Sequence, residues 1–419
     1  MHDFHFKKGE LHCENVKVST IARSVGTPCY IYSYKTLVDH FTKIQKAFAP
    51  ITPIICFAMK ANDSLSVIKA LVDQGAGLDI VSLGELKKAR IVKVDPQKIV
   101  FASVGKTREE IEEAINARIL FFNVESLPEL ERINQIAKSM GKVANAAIRI
   151  NPDVQAPTHD FITTGTLKKK FGIDLKTTRR IFQSRKKYSN VNINGVHIHI
   201  GSQITSGKPF AGAIQKTVGF INELRKEGIH IEYLDIGGGL GIIYKDEKPQ
   251  TAQQYADLVL PILKDAGLKI IMEPGRFIVG NAGIFVTKAL YLKDNGFKKF
   301  LVVDGGMNDL IRPSLYDAYH EIVPVKETKA RKIKVDVVGP ICESGDFFAH
   351  DRMIPSVNDG DLLAVMSAGA YGYVMASNYN VRGRAPEIMV KGKEFEVITK
   401  RETFEDLIKG ESIASFLNQ

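Results

Sequence analysis

Short apolar runs alternate along the first two thirds of the chain with longer segments whose apolar residues recur every three to four positions. The short runs fit buried strands, and the longer segments fit amphipathic helices. The strand-like runs are Ile54–Met59, Leu78–Val81, Ile99–Phe101, Leu120–Val124, Ala146–Ile150, Val196–Ile200, Tyr233–Ile236 and Lys269–Met272. The helix-like segments include Ser64–Gln74, Arg108–Ala117, Leu127–Met140, Phe210–Glu227 and Thr251–Ala266. This rhythm predicts a (β/α)8 TIM barrel, with an open doubly wound sheet as the alternative.

The pattern changes after about residue 278. Short runs rich in Val, Ile, Tyr and Phe are then broken by Gly, Asp, Asn and Pro, which predicts a β-rich domain. The strand-like segment Thr27–Tyr32 is expected to pair with that domain. We therefore predict an N-terminal segment at 1–35, a barrel at 36–278 and a C-terminal β domain at 279–419. We also predict an enlarged active-site loop at 151–194 and a helical segment at 403–419.

Composition narrows the possible partners. The chain has 419 residues, of which 44% are hydrophobic and 25% charged, as in ordinary globular proteins. No apolar run approaches the roughly 20 residues needed to cross a bilayer, and the first residues lack a signal-peptide core, so we expect a cytoplasmic protein without a membrane partner.

Cysteine spacing and charge distribution exclude further classes. The four cysteines are far apart and form no CxxC pair, so we expect neither a metal site nor a disulfide framework. The net charge is +10, but the lysines are scattered and form no nucleic-acid motif. We therefore expect no nucleic-acid partner.

Polar residues cluster where the predicted strands end, which is where a barrel holds its chemistry. These residues are Lys60, Asp79, Ser82, Arg149, His197, His199, Ser202, the run Asp235–Gly241 and the run Glu273–Arg276. A partly desolvated lysine amine loses its proton more easily and can form a Schiff base with a carbonyl. Lys60, which closes the first strand, is the candidate for that role.

The remaining groups fit an anionic, flat cofactor. The glycine run Gly237–Gly239 lets the backbone approach a phosphate closely, and Ser202 and Arg276 can add a hydroxyl and a charged fork. The glycine spacing differs from that of a dinucleotide-binding fingerprint. Glu273 can keep a pyridine nitrogen protonated, and His199 can stack on a flat ring. Together these residues predict a pyridoxal 5'-phosphate (PLP) site.

The motifs as a set closely resemble those of the fold-type III PLP-dependent decarboxylases, and among them the members that act on diaminopimelate. The matching stretches are Phe57–Asn62, His197–Gln203, Gly237–Gly241, Glu273–Arg276, Ile311–Tyr316, Cys342–Asp346 and Gly369–Tyr371. They occur from the first barrel strand to the C-terminal domain, in the family's order. The resemblance implies an alanine racemase-like fold, in which a barrel is joined to a β domain.

The resemblance also assigns roles. Lys60 would bind PLP covalently, His199 would stack on its ring and Glu273 would pair with its pyridine nitrogen. The residues assigned to the phosphate are Ser202, Gly237, Gly238, Gly239, Gly275, Arg276 and Tyr371. Those assigned to the substrate are Arg276, Arg312, Tyr316 and Tyr371, chiefly at its far carboxylate, and Glu343 at its amine. Asp79 and Arg149 would support the site.

Cys342 would return a proton to the substrate after CO2 leaves, because a thiol is a competent acid near neutral pH. In relatives the Cys-Glu segment comes from the partner subunit, so the resemblance implies a homodimer with shared active sites. Arg312 and Glu343 suit a substrate with a second amino acid centre. The expected reaction is decarboxylation of meso-2,6-diaminopimelate to L-lysine, the last step of lysine biosynthesis.

Three alternatives stay open from the residues. Asp317 leaves room for a related decarboxylase of ornithine, arginine or carboxynorspermidine, although Arg312 argues against it. A barrel-type PLP racemase usually carries an arginine at the pyridine nitrogen, where this chain has Glu273. A catalytically inactive homologue would have no need to retain both Lys60 and Cys342.

Overall fold

The computed structural model describes residues 2–154 and 170–417. The backbone divides into two units, one formed by Leu37–Val279 and the other by Met1–Thr36 together with Gly280–Gln419. Among the described residues, no helix has both the length and the apolar character that spanning a bilayer requires.

The N-terminal segment contains four strands and one helix. They are β1 (Phe4–Lys7), β2 (Glu10–Cys13), β3 (Val16–Lys17), α1 (Val18–Val25) and β4 (Cys29–Ser33). The first three strands form a small antiparallel sheet. Helix α1 buries Val18 and Ile21 in a hydrophobic cluster that also contains Ile31 of β4.

The unit Leu37–Val279 is built on eight parallel strands that close into a barrel. The strands are β5 (Ile54–Ala58), β6 (Gly77–Ile80), β7 (Ile99–Phe101), β8 (Phe121–Val124), β9 (Ala144–Arg149), β10 (Val191–His197), β11 (Tyr233–Asp235) and β12 (Lys269–Met272). The last strand pairs with the first, with Ile271 opposite Ile54. This closure confirms the predicted TIM barrel and excludes the open sheet.

In the described part of the chain, one helix directly precedes the first barrel strand, and one helix follows each of the eight strands. They are α2 (Tyr34–Ala47), α3 (Leu65–Val72), α4 (Leu83–Ile91), α5 (Arg108–Ala117), α6 (Leu127–Ser139), α7 (Leu175–Gln183), α8 (Lys208–Lys226), α9 (Ala252–Ala266) and α10 (Arg276–Val279). Local sequence fixes several of their starts. For example, Thr107 and Glu110 form a capping box that satisfies two backbone N–H groups at the start of α5.

The second unit is rich in β-structure, as predicted. Its elements after residue 280 are β13 (Gly283–Asp294), β14 (Lys299–Val303), α11 (Arg312–Tyr316), β15 (Ile322–Pro324), β16 (Lys332–Val338), β17 (Phe347–Pro355), β18 (Leu362–Val365), β19 (Glu387–Lys391), β20 (Glu394–Thr399) and α12 (Phe404–Ile408). Strand β4 lies between β13 and β19. This pairing confirms that the N-terminal strand joins the C-terminal sheet.

Three predicted elements were wrong in extent. The sixth barrel strand begins at Val191 and ends at His197, so His199 lies two residues beyond it. The segment 151–194 is not simply a loop, because it includes helix α7 and the start of β10, while its residues 155–169 lie outside the described part. In the segment 403–417, helix α12 covers only Phe404–Ile408, and a 3-10 turn covers Ser415–Leu417.

Candidate active site

Lys60 lies on a single 3-10 turn, Met59–Ala61, directly after β5. Its Nζ donates a hydrogen bond to Oδ2 of Asp79, which is fully buried on the neighbouring strand β6. Burial, followed by the charge of Glu273, raises the pKa of Asp79 to about 7, although Lys60 opposes the shift. This carboxyl group can therefore exchange a proton with the lysine amine near neutral pH.

Glu273 follows β12 and provides a permanent negative charge inside the barrel. Burial alone would raise the pKa of its carboxyl group, but the charge and hydrogen bond of His197 lead the opposing effects and hold that pKa well below its usual range. His197 Nε2 lies 3.3 Å from Glu273 Oε2. The side-chain amide of Asn123 donates to Glu273 Oε1 at 3.0 Å. Glu273 is thus ionised and held from two sides.

Asp235, at the end of β11, is the second carboxyl group in this cluster. Burial, together with the neighbouring charge of Glu273, raises the pKa of Asp235 well above its usual range. One carboxylate oxygen of Asp235 accepts a hydrogen bond from the backbone N–H of Gly237 at 2.9 Å. The neutral form of Asp235 can donate a hydrogen bond to Glu273, so that the pair carries one negative charge and not two.

The loop Gly237–Gly239 fits only glycine. A Cβ atom at Gly238 would lie 2.1 Å from the carbonyl oxygen of Glu273, and one at Gly239 would lie 2.3 Å from that of Gly201. Gly237 and Gly239 also have positive φ angles of 66° and 108°. The loop after β11 is therefore packed directly against the backbone at Gly201 and at Glu273.

His199 is held as a neutral ring by the same loop. The backbone N–H of Gly238 donates to His199 Nδ1 at 3.3 Å, so this ring nitrogen is the acceptor. Burial, followed by the charge of Arg149, lowers the pKa of His199 well below its usual range. A neutral, oriented imidazole is suited to packing against an aromatic ring.

Arg276 provides a cation beside two hydroxyl groups. It lies at the start of α10 and is 7% exposed. Its Nη1 donates to the hydroxyl of Tyr244 at 2.6 Å, and its Nη2 donates to Ser202 Oγ at 3.3 Å. A guanidinium group with neighbouring hydroxyls is a suitable environment for a phosphate. The structure thus brings together Ser202 and Arg276, as the sequence predicted.

Several residues of this barrel end had no predicted role. Asn123, Asp235 and Tyr244 contact predicted site residues directly. Lys106 is buried and donates to Glu129 Oε1 at 2.6 Å and to the backbone oxygen of Asn123 at 2.9 Å. Asn123 could have been found from the sequence, because it is a polar residue inside an apolar strand. No local sequence pattern indicates the contacts of Lys106, because its partners are distant in sequence.

Arg149, the last residue of β9, pairs with Glu125. The distance from its Nη1 to Glu125 Oε1 is 3.1 Å, and both side chains are buried. Its guanidinium group also lies 4.8 Å from the centre of the Phe171 ring. These contacts suit the supporting role predicted for Arg149.

The other predicted residues lie in the second unit. Arg312 begins α11 and is 6% exposed, and Tyr316 ends the same helix. Cys342 is exposed with a free thiol, and its backbone N–H donates to Asn380 Oδ1 at 2.9 Å. Glu343 is exposed, and Tyr371 is partly buried with a positive φ angle of 56°. The substrate-binding roles of these residues stay predictions.

Comparison with known proteins identifies relatives of the whole chain. The family model described as pyridoxal-dependent decarboxylase, pyridoxal binding domain, matches residues 34–280. A diaminopimelate decarboxylase of Aquifex aeolicus is 48% identical over 92% of this chain and 91% of its own length. One from Vibrio cholerae is 44% identical over 91% of this chain and 92% of its own length.

Solved structures agree with this relationship. A Helicobacter pylori diaminopimelate decarboxylase complexed with L-lysine has a TM-score of 0.90 and 40% identity, covering 93% of this chain and 98% of its own. A diaminopimelate decarboxylase of M. jannaschii in co-complex with L-lysine has a TM-score of 0.94 and 38% identity, covering 100% of both chains.

Proposed function

The chain belongs to the diaminopimelate decarboxylases, a family of pyridoxal-dependent enzymes, and we propose that it converts meso-2,6-diaminopimelate to L-lysine and CO2. The pairing of Lys60 with Asp79, next to the ionised Glu273 at the same barrel end, is the observation that most supports this activity. A lysine at a strand end and a buried permanent carboxylate are the two groups that a pyridoxal cofactor needs from its protein.

The barrel end fits PLP. Lys60 would bind the cofactor, Glu273 would keep its pyridine nitrogen protonated and His199 would pack against its ring. The residues that would surround its phosphate are Ser202, Gly237, Gly238, Gly239, Gly275, Arg276 and Tyr371. The bound cofactor supplies an electron sink for the pair of electrons that CO2 leaves behind.

Proton transfer then depends on the protein's own groups. Lys60 must lose a proton from Nζ before it can act as a nucleophile, and Asp79 can accept that proton because its pKa is raised to about 7. Cys342 Sγ would later deliver one proton to the carbon that has lost CO2. We propose that this thiol and Glu343 come from the partner subunit of a homodimer. The cytoplasmic location also stays a prediction.

Arg312 would select the substrate. The substrate keeps a second amino acid centre far from the reacting carbon, and its carboxylate requires a cation. Arg312 would meet it with two parallel hydrogen bonds, assisted by Arg276 and Tyr316, while Glu343 would bind the distal amine. Ornithine and arginine lack this distal carboxylate, so Arg312 favours diaminopimelate over them.

A product assay tests the proposed activity. PLP-loaded protein is incubated with meso-diaminopimelate, ornithine or arginine, and CO2 and lysine are measured. We expect CO2 from diaminopimelate with an equal amount of L-lysine, no activity in Lys60→Ala, and full activity in Lys69→Ala, whose lysine forms an exposed pair with Asp73. Faster CO2 release from ornithine or arginine would contradict the proposed substrate.

A further inference from the structure

The chain turns back on itself after the helix that carries Arg312. Helix α11 ends at Tyr316, and Asp317 adopts a left-handed conformation with φ of 50°. The backbone N–H of Ala318 contacts the carbonyl oxygen of Arg312 at 3.4 Å across this turn. The reversal brings His320, which has no exposed surface, to the guanidinium group, with His320 Nε2 3.0 Å from Arg312 Nη1.

The surroundings of His320 determine which ring nitrogen carries the proton. His320 Nδ1 lies 2.8 Å from the backbone carbonyl oxygen of Met366, and a carbonyl can only accept a hydrogen bond. Nδ1 must therefore be protonated. In the neutral ring Nε2 then has a lone pair, which accepts a hydrogen bond from Arg312 Nη1. Protonation of Nε2 would instead place an N–H group against a cation, so the neutral ring is favoured.

The backbone around His320 is also fixed. The guanidinium group of Arg352 donates to the carbonyl oxygen of His320 at 2.7 Å and lies 4.1 Å from the ring centre of Tyr319. The backbone N–H of Met366 donates to the carbonyl oxygen of Glu321 at 2.8 Å. The imidazole therefore holds one position from which to orient Arg312.

We propose that His320 is a positioning residue that orients the guanidinium group of Arg312 for the distal carboxylate of the substrate. This inference rests on the proposed function, in which Arg312 binds that carboxylate. A guanidinium group held in one plane loses less conformational entropy when it forms two parallel hydrogen bonds, so binding of the carboxylate is strengthened. His320 would not contact the reacting carbon, and its effect would therefore appear in binding more than in turnover.

Two ligands separate this role from a general structural role. L-Lysine carries the distal carboxylate that remains after decarboxylation, whereas 1,5-diaminopentane has the same two amines and no carboxylate. Inhibition constants for both are measured in PLP-loaded protein. We expect His320→Phe to raise the inhibition constant of L-lysine about tenfold, the loss expected for a hydrogen bond to a charged group. The constant for 1,5-diaminopentane should change less than about twofold.

Three further variants sharpen the test. In His320→Gln the side-chain amide can still donate to Met366 and accept from Arg312, so we expect partial recovery of L-lysine binding. His12→Phe removes another buried histidine of the same unit, whose Nδ1 contacts the carbonyl oxygen of Glu10 at 2.9 Å, and it should leave both constants unchanged. In an Arg312→Ala background, His320→Phe should have no further effect on L-lysine.

The inference would be overturned if binding of both ligands weakened equally in His320→Phe and His320→Gln, or if the effects of Arg312→Ala and His320→Phe were additive. An unchanged constant for L-lysine in His320→Phe would also overturn it. None of these outcomes touches the proposed function, which fails if wild-type protein releases no CO2 from diaminopimelate or releases it faster from ornithine or arginine.

Discussion

Individual carboxyl groups at the barrel end have pKa values that are shifted in opposite directions. Glu273 is held ionised by His197, whereas burial raises the pKa values of Asp79, Asp235 and Glu85. One permanent charge is thus surrounded by groups that can be neutral at physiological pH. Under the proposed function, this division would let the site hold one charge for a pyridine nitrogen without accumulating repulsive charges nearby.

Replacing Glu273 with glutamine should reduce turnover strongly. Glutamine keeps a similar shape but cannot hold the pyridine nitrogen in its protonated form, so the cofactor would become a weaker electron sink. We expect kcat for diaminopimelate to fall on the order of 100-fold, the scale seen when one electrostatic contact to a reacting centre is removed. Glu232→Gln, at a partly exposed residue that pairs with Lys269, serves as the control. A kcat within about fivefold of wild type would refute the role of Glu273.

Glu85 should make stability depend on pH. Burial, opposed chiefly by a 2.7 Å hydrogen bond from the backbone N–H of Val81, raises its pKa from 4.5 to about 7. The folded protein therefore binds more protons than the unfolded chain between these pH values, and Glu85 destabilises the fold increasingly as the pH rises from about 4.5 to about 7.

Chemical denaturation of Glu85→Gln and wild type at pH 5 and pH 8 measures this effect. The free energy of unfolding of the variant, relative to wild type, should rise by about 2 kcal/mol between the two pH values. A difference that does not change with pH would show that the carboxyl group titrates normally.

At the scale of elements, function depends on how the loops after β11 and β12 pack against each other. Gly238→Ala should disrupt this packing, since the added Cβ would meet the carbonyl oxygen of Glu273 at 2.1 Å. We expect a loss of about 1–3 kcal/mol in unfolding free energy, as for other overpacked sites, and a weaker affinity for PLP.

The matched control for Gly238→Ala is Gly219→Ala. Gly219 is exposed in helix α8, where an added Cβ meets nothing within 4 Å. That variant should be stabilised by about 0.5–1 kcal/mol because alanine favours a helix. Equal thermal stability and PLP affinity in the two variants would argue against a special role for the loop.

Local pattern predicted most elements because each apolar run lies within one strand or helix. The bounds of β7 and β12 match the predicted runs Ile99–Phe101 and Lys269–Met272. The start of β10 was missed because Asn192 and Asn194 are polar and suggested a loop. The apolar residues that alternate with them in this strand are buried. Among the described residues beyond Ile408, the large apolar side chains of Ile413, Phe416 and Leu417 are exposed, so the helix predicted there has no apolar face that packs against the fold.

Contacts between distant residues limited the prediction of the site. Lys60, Glu273 and Arg276 could be identified because each follows a strand in a recognisable motif. The hydrogen bond from Asn123 to Glu273 and that from Arg276 to Tyr244 join residues far apart in sequence. No local pattern specifies such pairs, because they arise only when the barrel closes.

At the scale of the whole molecule, the predicted homodimer makes each active site depend on two chains. Mixing inactive Lys60→Ala with Cys342→Ala protein should then restore activity. Random exchange of subunits produces mixed dimers with one intact site in half of the population, so about a quarter of wild-type activity is expected. Each variant alone is the control. Activity that stays at the level of the separate variants would contradict sharing of Cys342.

The proposed chemistry depends on covalent attachment of the cofactor to Lys60, which reduction with borohydride can detect. PLP-loaded protein is reduced, digested and mapped by mass spectrometry. We expect a pyridoxyl label on the peptide that contains Lys60 and on no other peptide, with the label lost in Lys60→Ala. A label on the buried Lys106 or on any other lysine, with Lys60 unmodified, would show that Lys60 does not bind the cofactor.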